Sequence, residues 1–313
     1  MSKTPLHQTV TVRVPATSAN LGPGFDCLGM ALGMWNRIRL RWGGPTAITV
    51  HGDGAGHLRT DSSNLMYRAA QLIFAELGHE GAEVRIETWQ DIPLSRGLGS
   101  SSAAIVGAMV AANALFDFPV SPPRLLQLAT DLEGHPDNVA PALLGGCVVA
   151  VRDHEKVLAA PIPLPTDLQC VVFIPEMPLA TKKARSVLAP QLSRADAVFN
   201  IGRAALLVAA FATDHPEYLG IATQDMLHQP ARQTVYPEMK HLFAAARKAG
   251  ARGVFLSGAG SSVIALTTKG EHRAMTIGYE MADAADKLRF PGAFRVLEPS
   301  AVGAQVLALG VED

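Results

Sequence analysis

The residues best suited to chemistry lie at 96–103, Arg-Gly-Leu-Gly-Ser-Ser-Ser-Ala. Glycine lets backbone approach a ligand with no Cβ in the way, and three consecutive hydroxyls can donate to an anion or ligate a hard cation. The span falls between a predicted strand at 83–89 and a predicted helix at 103–116, so backbone amides and the positive end of the helix dipole converge on one point. Phosphate is the anion such a point suits. In isolation the span also reads as a glycine turn with a serine N-cap. A P-loop is excluded, because G-x-x-x-x-G-K-[ST] needs a lysine that is not there. The dinucleotide fingerprint G-x-G-x-x-G/A also fits poorly. Ser102 stands in place of its third glycine, and after Asp117 residues 118–123 lead into another helix instead of closing a strand.

Two further clusters have chemical character. Asp131 and Glu133 end a predicted helix, where the dipole disfavours acids, and Gly134-His135-Pro136-Asp137-Asn138 follows at once. A carboxylate there can reach a magnesium ion held by phosphates, since that cation prefers oxygen ligands; Asp137 and Asn138 read equally as turn and N-cap residues. The span 257–262, Ser-Gly-Ala-Gly-Ser-Ser, is a second glycine-serine turn between predicted strands. By contrast, His51-Gly-Asp-Gly-Ala-Gly-His57 matches no zinc spacing, and no G-x-S-x-G elbow occurs.

The elements that must position these groups are legible in part. Strands are predicted at 9–14 and 37–42, the latter with arginines on one side and Ile38, Leu40 and Trp42 on the other, joined by a glycine-rich loop at 15–29. Asn64 caps a helix running to Gly78. The helix at 103–116 is small and apolar on every side, hence buried all round. Ser121 and Pro122 start a helix that His135-Pro136 stops near Glu133. Prolines 161–165 mark a linker. Beyond it, strands are expected at 169–174, 253–256 and 263–267, with helices at 193–211, 237–249 and 271–288. Mixed α and β in two domains, 1–160 and 161–313, is the reading.

With 313 residues and 48% hydrophobic composition, the chain can bury a large core. Its 27 Lys+Arg balance 28 Asp+Glu without a basic run, which argues against nucleic acid as a partner. Three scattered cysteines point to a reducing compartment. The span 103–116, the longest nearly apolar stretch in this reading, is too short for a membrane span, and the start of the chain lacks a signal-like apolar region. A cytoplasmic protein without membrane partners is expected.

Taken in order, P-A-T-S-A-N-L-G-P-G-F-D at 15–26, P-L-S-R-G-L-G-S-S-S-A-A at 93–104 and S-G-A-G-S-S at 257–262 together resemble the GHMP kinases, the second block their phosphate loop and the last their glycine-rich third motif. Within that superfamily, the first block, E-G-H-P-D-N-V-A-P at 133–141, T-K-K-A-R at 181–185 and L-H-Q-P-A-R at 227–232 are similar to homoserine kinases, and the G-E-H type block of mevalonate kinases and galactokinases is missing. The resemblance implies an α+β, two-domain fold, with an N-terminal ATP-binding domain like ribosomal protein S5 domain 2 and a ferredoxin-like C-terminal domain. It implies ATP bound by Asn64, Pro93, Arg96, Gly97, Leu98, Gly99, Ser100, Ser101, Ser102 and Ala103, with Mg2+ on Ser101 and Glu133. L-homoserine would lie against Asn20, Asp26, Asp137, Asn138, Thr181, Arg185, Arg232 and Gly258, and would leave as O-phosphohomoserine on the way to threonine. Glu133, Asp137 and Asn138 are the implied catalytic set, with Asp137 read either as a base or as a substrate ligand. Arginine forks for the substrate carboxylate and acids for its ammonium match what an amino acid offers. Another GHMP acceptor, a nucleotide-binding protein without turnover, and a homodimer stay open.

Overall fold

The span 15–29 proves to be sheet except for a turn at 21–23. In the computed structural model, which describes residues 4–310, it belongs to two long antiparallel strands, β1 (Thr9–Asn20) and β2 (Gly24–Trp42). Pro15 is tolerated because the register shifts between it and Ala16, at a bulge where a missing N–H interrupts no ladder. The glycines serve close approach. A Cβ on Gly22 would lie 2.3 Å from the Thr223 carbonyl oxygen, and one on Gly29 would lie 1.7 Å from that of Asp137. Ile38 and Leu40 are buried and Arg37, Arg39 and Arg41 exposed, as the alternation requires.

The next strands, β3 (Ala47–Gly52) and β4 (Val84–Gln90), are parallel and are joined through α1 (Leu65–Glu76). Asn64 caps α1 by accepting from the Met66 amide. The buried helix, α2 (Ser100–Ala114), starts at Ser100, so the serines form its first turn instead of preceding it. It is followed by α3 (Pro122–Glu133), which ends on Gly134 at φ 99°, and by α4 (Pro136–Leu144), which starts on a proline. Ser121 has the extended backbone of an N-cap, but its hydroxyl makes no cap bond. A hairpin, β5 (Cys147–Asp153) and β6 (Lys156–Ile162), attaches to β2 at residues 28–30.

Residues 163–167 lead into the second sheet. There β7 (Leu168–Pro175) is followed by α5 (Thr181–Ser186), α6 (Arg194–Ala212), α7 (Leu219–Ala222), α8 (Gln229–Arg232) and α9 (Met239–Lys248). The chain then runs through β8 (Gly253–Leu256), β9 (Val263–Thr268), α10 (Ala274–Lys287) and β10 (Gly292–Leu297). The antiparallel order β10-β7-β9-β8, with α9 and α10 on one face, is the ferredoxin-like arrangement. Strand β7 explains how the two units join. Val171 and Phe173 pack with Leu242 and Ile277, whereas Leu168, Cys170 and Val172 belong to the core of the first sheet. Both faces are covered, which is why the strand reads as a continuous apolar run.

The division at 160/161 does not anticipate β11 (Gln305–Gly310), which returns to pair with β1. Both ends of the described chain thus lie in the seven-stranded sheet. Among the described residues α6 is long and apolar enough to cross a membrane by length and composition, exceeding the span 103–116 singled out above. It is tied into the fold through Asn200, which donates to the Pro23 carbonyl and accepts from the Met226 amide.

Candidate active site

The turn before α2 is bent by Gly97 at φ 72° and Gly99 at φ 68°. Neither position has room for a side chain: a Cβ on Gly97 would lie 2.1 Å from the Ser257 carbonyl oxygen, and one on Gly99 would lie 1.9 Å from Thr17 Oγ1. The 257–262 turn is therefore what the Gly97 loop leans on. Ser257 Oγ donates to the Gly97 carbonyl at 2.7 Å, and the Ser262 amide donates to the Arg96 carbonyl at 3.0 Å. The first backbone bond of α2 runs from Ala103 to Gly99, which leaves the amides before Ala103 without an intrahelical acceptor at the positive end of the dipole.

Glu133, at the end of α3, reaches this point from the side. One carboxylate oxygen accepts from Ser101 Oγ at 2.5 Å and the other from Ser102 Oγ at 2.9 Å. At the start of α4, Asp137 is 2% exposed and takes a 2.6 Å contact from His135 Nδ1. Burial pulls the His135 imidazole down, but the bonded Asp137 and the nearby Glu133 outweigh it, so the net effect is upward. Asn138 accepts from Thr17 Oγ1 at 2.8 Å, which ties α4 to β1 beside Gly99.

Opposite these groups stand two arginines over the ring of Phe25, Arg185 at 5.5 Å and Arg232 at 5.6 Å. They differ in their partners. Arg185 is held fork-on-fork by Asp26, with contacts of 3.0 and 2.7 Å, and this pair is partly exposed. Arg232 is 1% exposed and donates to the carbonyls of Gly258 at 2.8 Å and Ala184 at 3.3 Å and to His228. Burial, with Arg185 nearby, lowers its pKa to about 10. Asn20, at φ 69°, donates to the Gly258 carbonyl and accepts from the Asp26 amide.

Most of these groups border one cavity of about 300 Å³ between the two sheets. A family model for the GHMP kinase N-terminal domain matches residues 64–146, and one for the C-terminal domain matches residues 207–285. A homoserine kinase of Moorella thermoacetica is 45% identical over 95% of this chain and 99% of its own, and one of Carboxydothermus hydrogenoformans is 47% identical over 84% and 86%. The chain belongs to the homoserine kinase family of the GHMP kinases. The crystal structure of a homoserine kinase from Cytophaga hutchinsonii superposes with a TM-score of 0.89 at 31% identity, covering 96% of this chain and 98% of that one. Membership in this kinase family carries with it the use of ATP and a small-molecule substrate.

Most residues named from the family motifs meet in the cavity. Pro93, residues 96–101 and Glu133 line one side, and Asn20, Asp26, Asp137, Asn138, Thr181, Arg185, Arg232 and Gly258 the other. Ser102 and Ala103 are fully buried behind the wall. Asn64 lines a neighbouring, more apolar cavity of about 350 Å³, which shares Ser95, Ser100 and Ser101 with the first. The guanidinium of Arg96 is turned away, onto the carbonyls of Leu94, Pro175 and Glu176. Sequence reasoning passed over Ser95, Thr17, His135 and His228. All four lie inside quoted blocks, so the signal was present, but each was skipped for a neighbour with a better-known role.

Proposed function

We propose that this protein phosphorylates L-homoserine, transferring the γ-phosphoryl group of ATP to the side-chain hydroxyl and yielding O-phospho-L-homoserine and ADP. The observation that carries the reading is one cavity with a hydroxyl-lined helix N-terminus and a carboxylate on one side, and two arginines with two aspartates on the other. The first set complements phosphates, and the second complements a zwitterion.

In this reading the Gly97 loop wraps the triphosphate and the adenine enters the apolar cavity beside Asn64. Ser101 and Glu133 offer a hydroxyl and a carboxylate, hard oxygen donors that suit Mg2+. Bound there, Mg2+ would neutralise charge on the phosphates. Homoserine lies among Asn20, Asp26, Asp137, Asn138, Thr181, Arg185, Arg232 and Gly258. With Arg185 already balanced by Asp26, Arg232 is the cation left for the substrate carboxylate. Asp137 takes the ammonium, and Asn138, fixed by Thr17, helps place the hydroxyl. Loose phosphoryl-transfer transition states need alignment and charge neutralisation more than a strong base. An ADP-release assay over homoserine, mevalonate, galactose and shikimate tests the reading: turnover is expected with homoserine, and turnover on another acceptor without it would overturn the substrate.

A further inference from the structure

The 227–232 block contains a residue that the reading above leaves without a task. His228 sits one helical turn before Arg232, is fully buried, and contacts two groups at once. Its Nε2 lies 2.8 Å from the carbonyl oxygen of Gly22, which can only accept, so Nε2 carries the proton. Nδ1 is then a lone pair, and it accepts from Arg232 Nη1 at 2.9 Å. Geometry alone selects this neutral tautomer. Burial favours it as well, pulling the imidazole below its ordinary value despite Asp225 at 3.5 Å.

A neutral acceptor at this position has a consequence for charge. All three partners of Arg232, the Ala184 and Gly258 carbonyls and His228 Nδ1, orient the guanidinium without cancelling it. Among the described residues no carboxylate lies within ion-pair distance. A carboxylate at 228 would orient the same group and also neutralise it, leaving nothing for an incoming anion. The frame around His228 is firm. Asp225 accepts from the amides of Leu227, His228 and Gln229 at 3.0, 3.0 and 2.7 Å, and Gln229 Oε1 accepts from the Leu256 amide just before the 257–262 turn.

We infer that His228 is a positioning residue for substrate: it aims the still-charged Arg232 into the cavity and locks it to the Gly22 turn that carries Asn20 and Asp26. The inference rests on the homoserine reading of that cavity. Three variants separate the two contacts of the imidazole. Asparagine at 228 reaches the Nδ1 position and can still accept from Arg232. Glutamine reaches the Nε2 position and can donate only to Gly22, and leucine does neither. With homoserine and ATP varied separately, His228→Gln and His228→Leu should raise the homoserine KM about ten- to a hundredfold while the ATP KM stays within about twofold. His228→Asn should recover most of that loss. If leucine prevents folding, the asparagine and glutamine variants carry the test. An unchanged homoserine KM in His228→Gln, or equal defects in His228→Asn and His228→Gln, would overturn the inference while the homoserine reading stands. No homoserine turnover by the unaltered protein would overturn both.

Discussion

The two sides of the cavity are built differently. The side proposed to face phosphate is almost entirely one stretch of chain, 93–103, offering backbone amides, glycines and hydroxyls at the start of a buried helix, with Glu133 reaching it from α3. The acceptor side is assembled from charged side chains on β2, α4, α5 and α8, which meet only in the folded protein. The difference follows from the ligands each side suits. Converging amides at one helix end suffice for an anion, whereas a zwitterion needs opposed charges held several ångströms apart, and one segment cannot supply both. The acceptor side also divides its charges unequally, with Arg185 balanced by Asp26 and Arg232 left unbalanced.

The sharpest break in that comparison comes from Glu133, the carboxylate that the phosphate side draws from outside its own stretch of chain. Glu133→Gln should lower kcat about a hundred- to a thousandfold while ADP binding survives, because charge placed for the transition state is lost and the amide cradle is not. A turnover number left intact would remove Glu133 from the chemistry. Next in size is the contrast between the arginines. Arg232→Ala should raise the homoserine KM about a hundredfold and leave the ATP KM alone. Arg185→Ala should raise it by only about tenfold, since its charge is already offset in a partly exposed pair. Equal effects in steady-state kinetics would show that the distinction between buried and paired cations has no bearing on binding.

Gly97 tests whether the phosphate side depends on shape. Any side chain at φ 72° costs about 1–2 kcal/mol, and here the new Cβ would also meet the Ser257 carbonyl, which is backbone and cannot swing away. Gly78 has a similar φ of 78° with nothing within 4 Å. Gly97→Ala should therefore lower the urea midpoint distinctly more than Gly78→Ala and weaken ATP, whereas Gly78→Ala should leave both substrates' KM values unmoved. Equal stability losses would mean that the 257–262 turn yields, and that the two glycine-serine turns do not brace each other.

What the sequence revealed follows the same division. The glycine-serine loop, the Asn64 cap, the buried α2 and the end of α3 at Glu133 are local matters, decided by residues within a few positions of one another, and they were legible, although the stop was read from His135-Pro136 and is made by Gly134. The sheet character of 15–29 was not, because it depends on pairing with distant strands and on glycines chosen for contact with Thr223 and Asp137. The return of β11 to β1 is a pairing across nearly the whole chain, invisible to any window. On the acceptor side the residues were named through family blocks, but their pairing was not foreseen. Arginine and aspartate at 185 and 26 do not announce in sequence that they will hold each other, nor that Arg232 will be left to a neutral histidine.

The smallest effect is expected away from both sides, where α1 meets α3. The Arg124 guanidinium bonded to Glu76 holds that carboxyl below its usual range, against a lesser contribution from burial. A carboxyl with a lowered folded-state pKa adds stability above its unfolded value and loses it as pH falls through the folded one. Because the pair is partly exposed, the contribution at neutral pH should be below about 1 kcal/mol. Thermal unfolding of the unaltered protein and of Glu76→Gln should thus differ slightly at pH 7 and converge as the solution is acidified below the usual glutamate range. Both KM values at pH 7 should be unchanged in the variant, since neither cavity touches Glu76. A gap that widens on acidification would reverse the sign argued here, and a shift in either KM would show that the α1–α3 contact reaches the site through α2, the helix both cavities share.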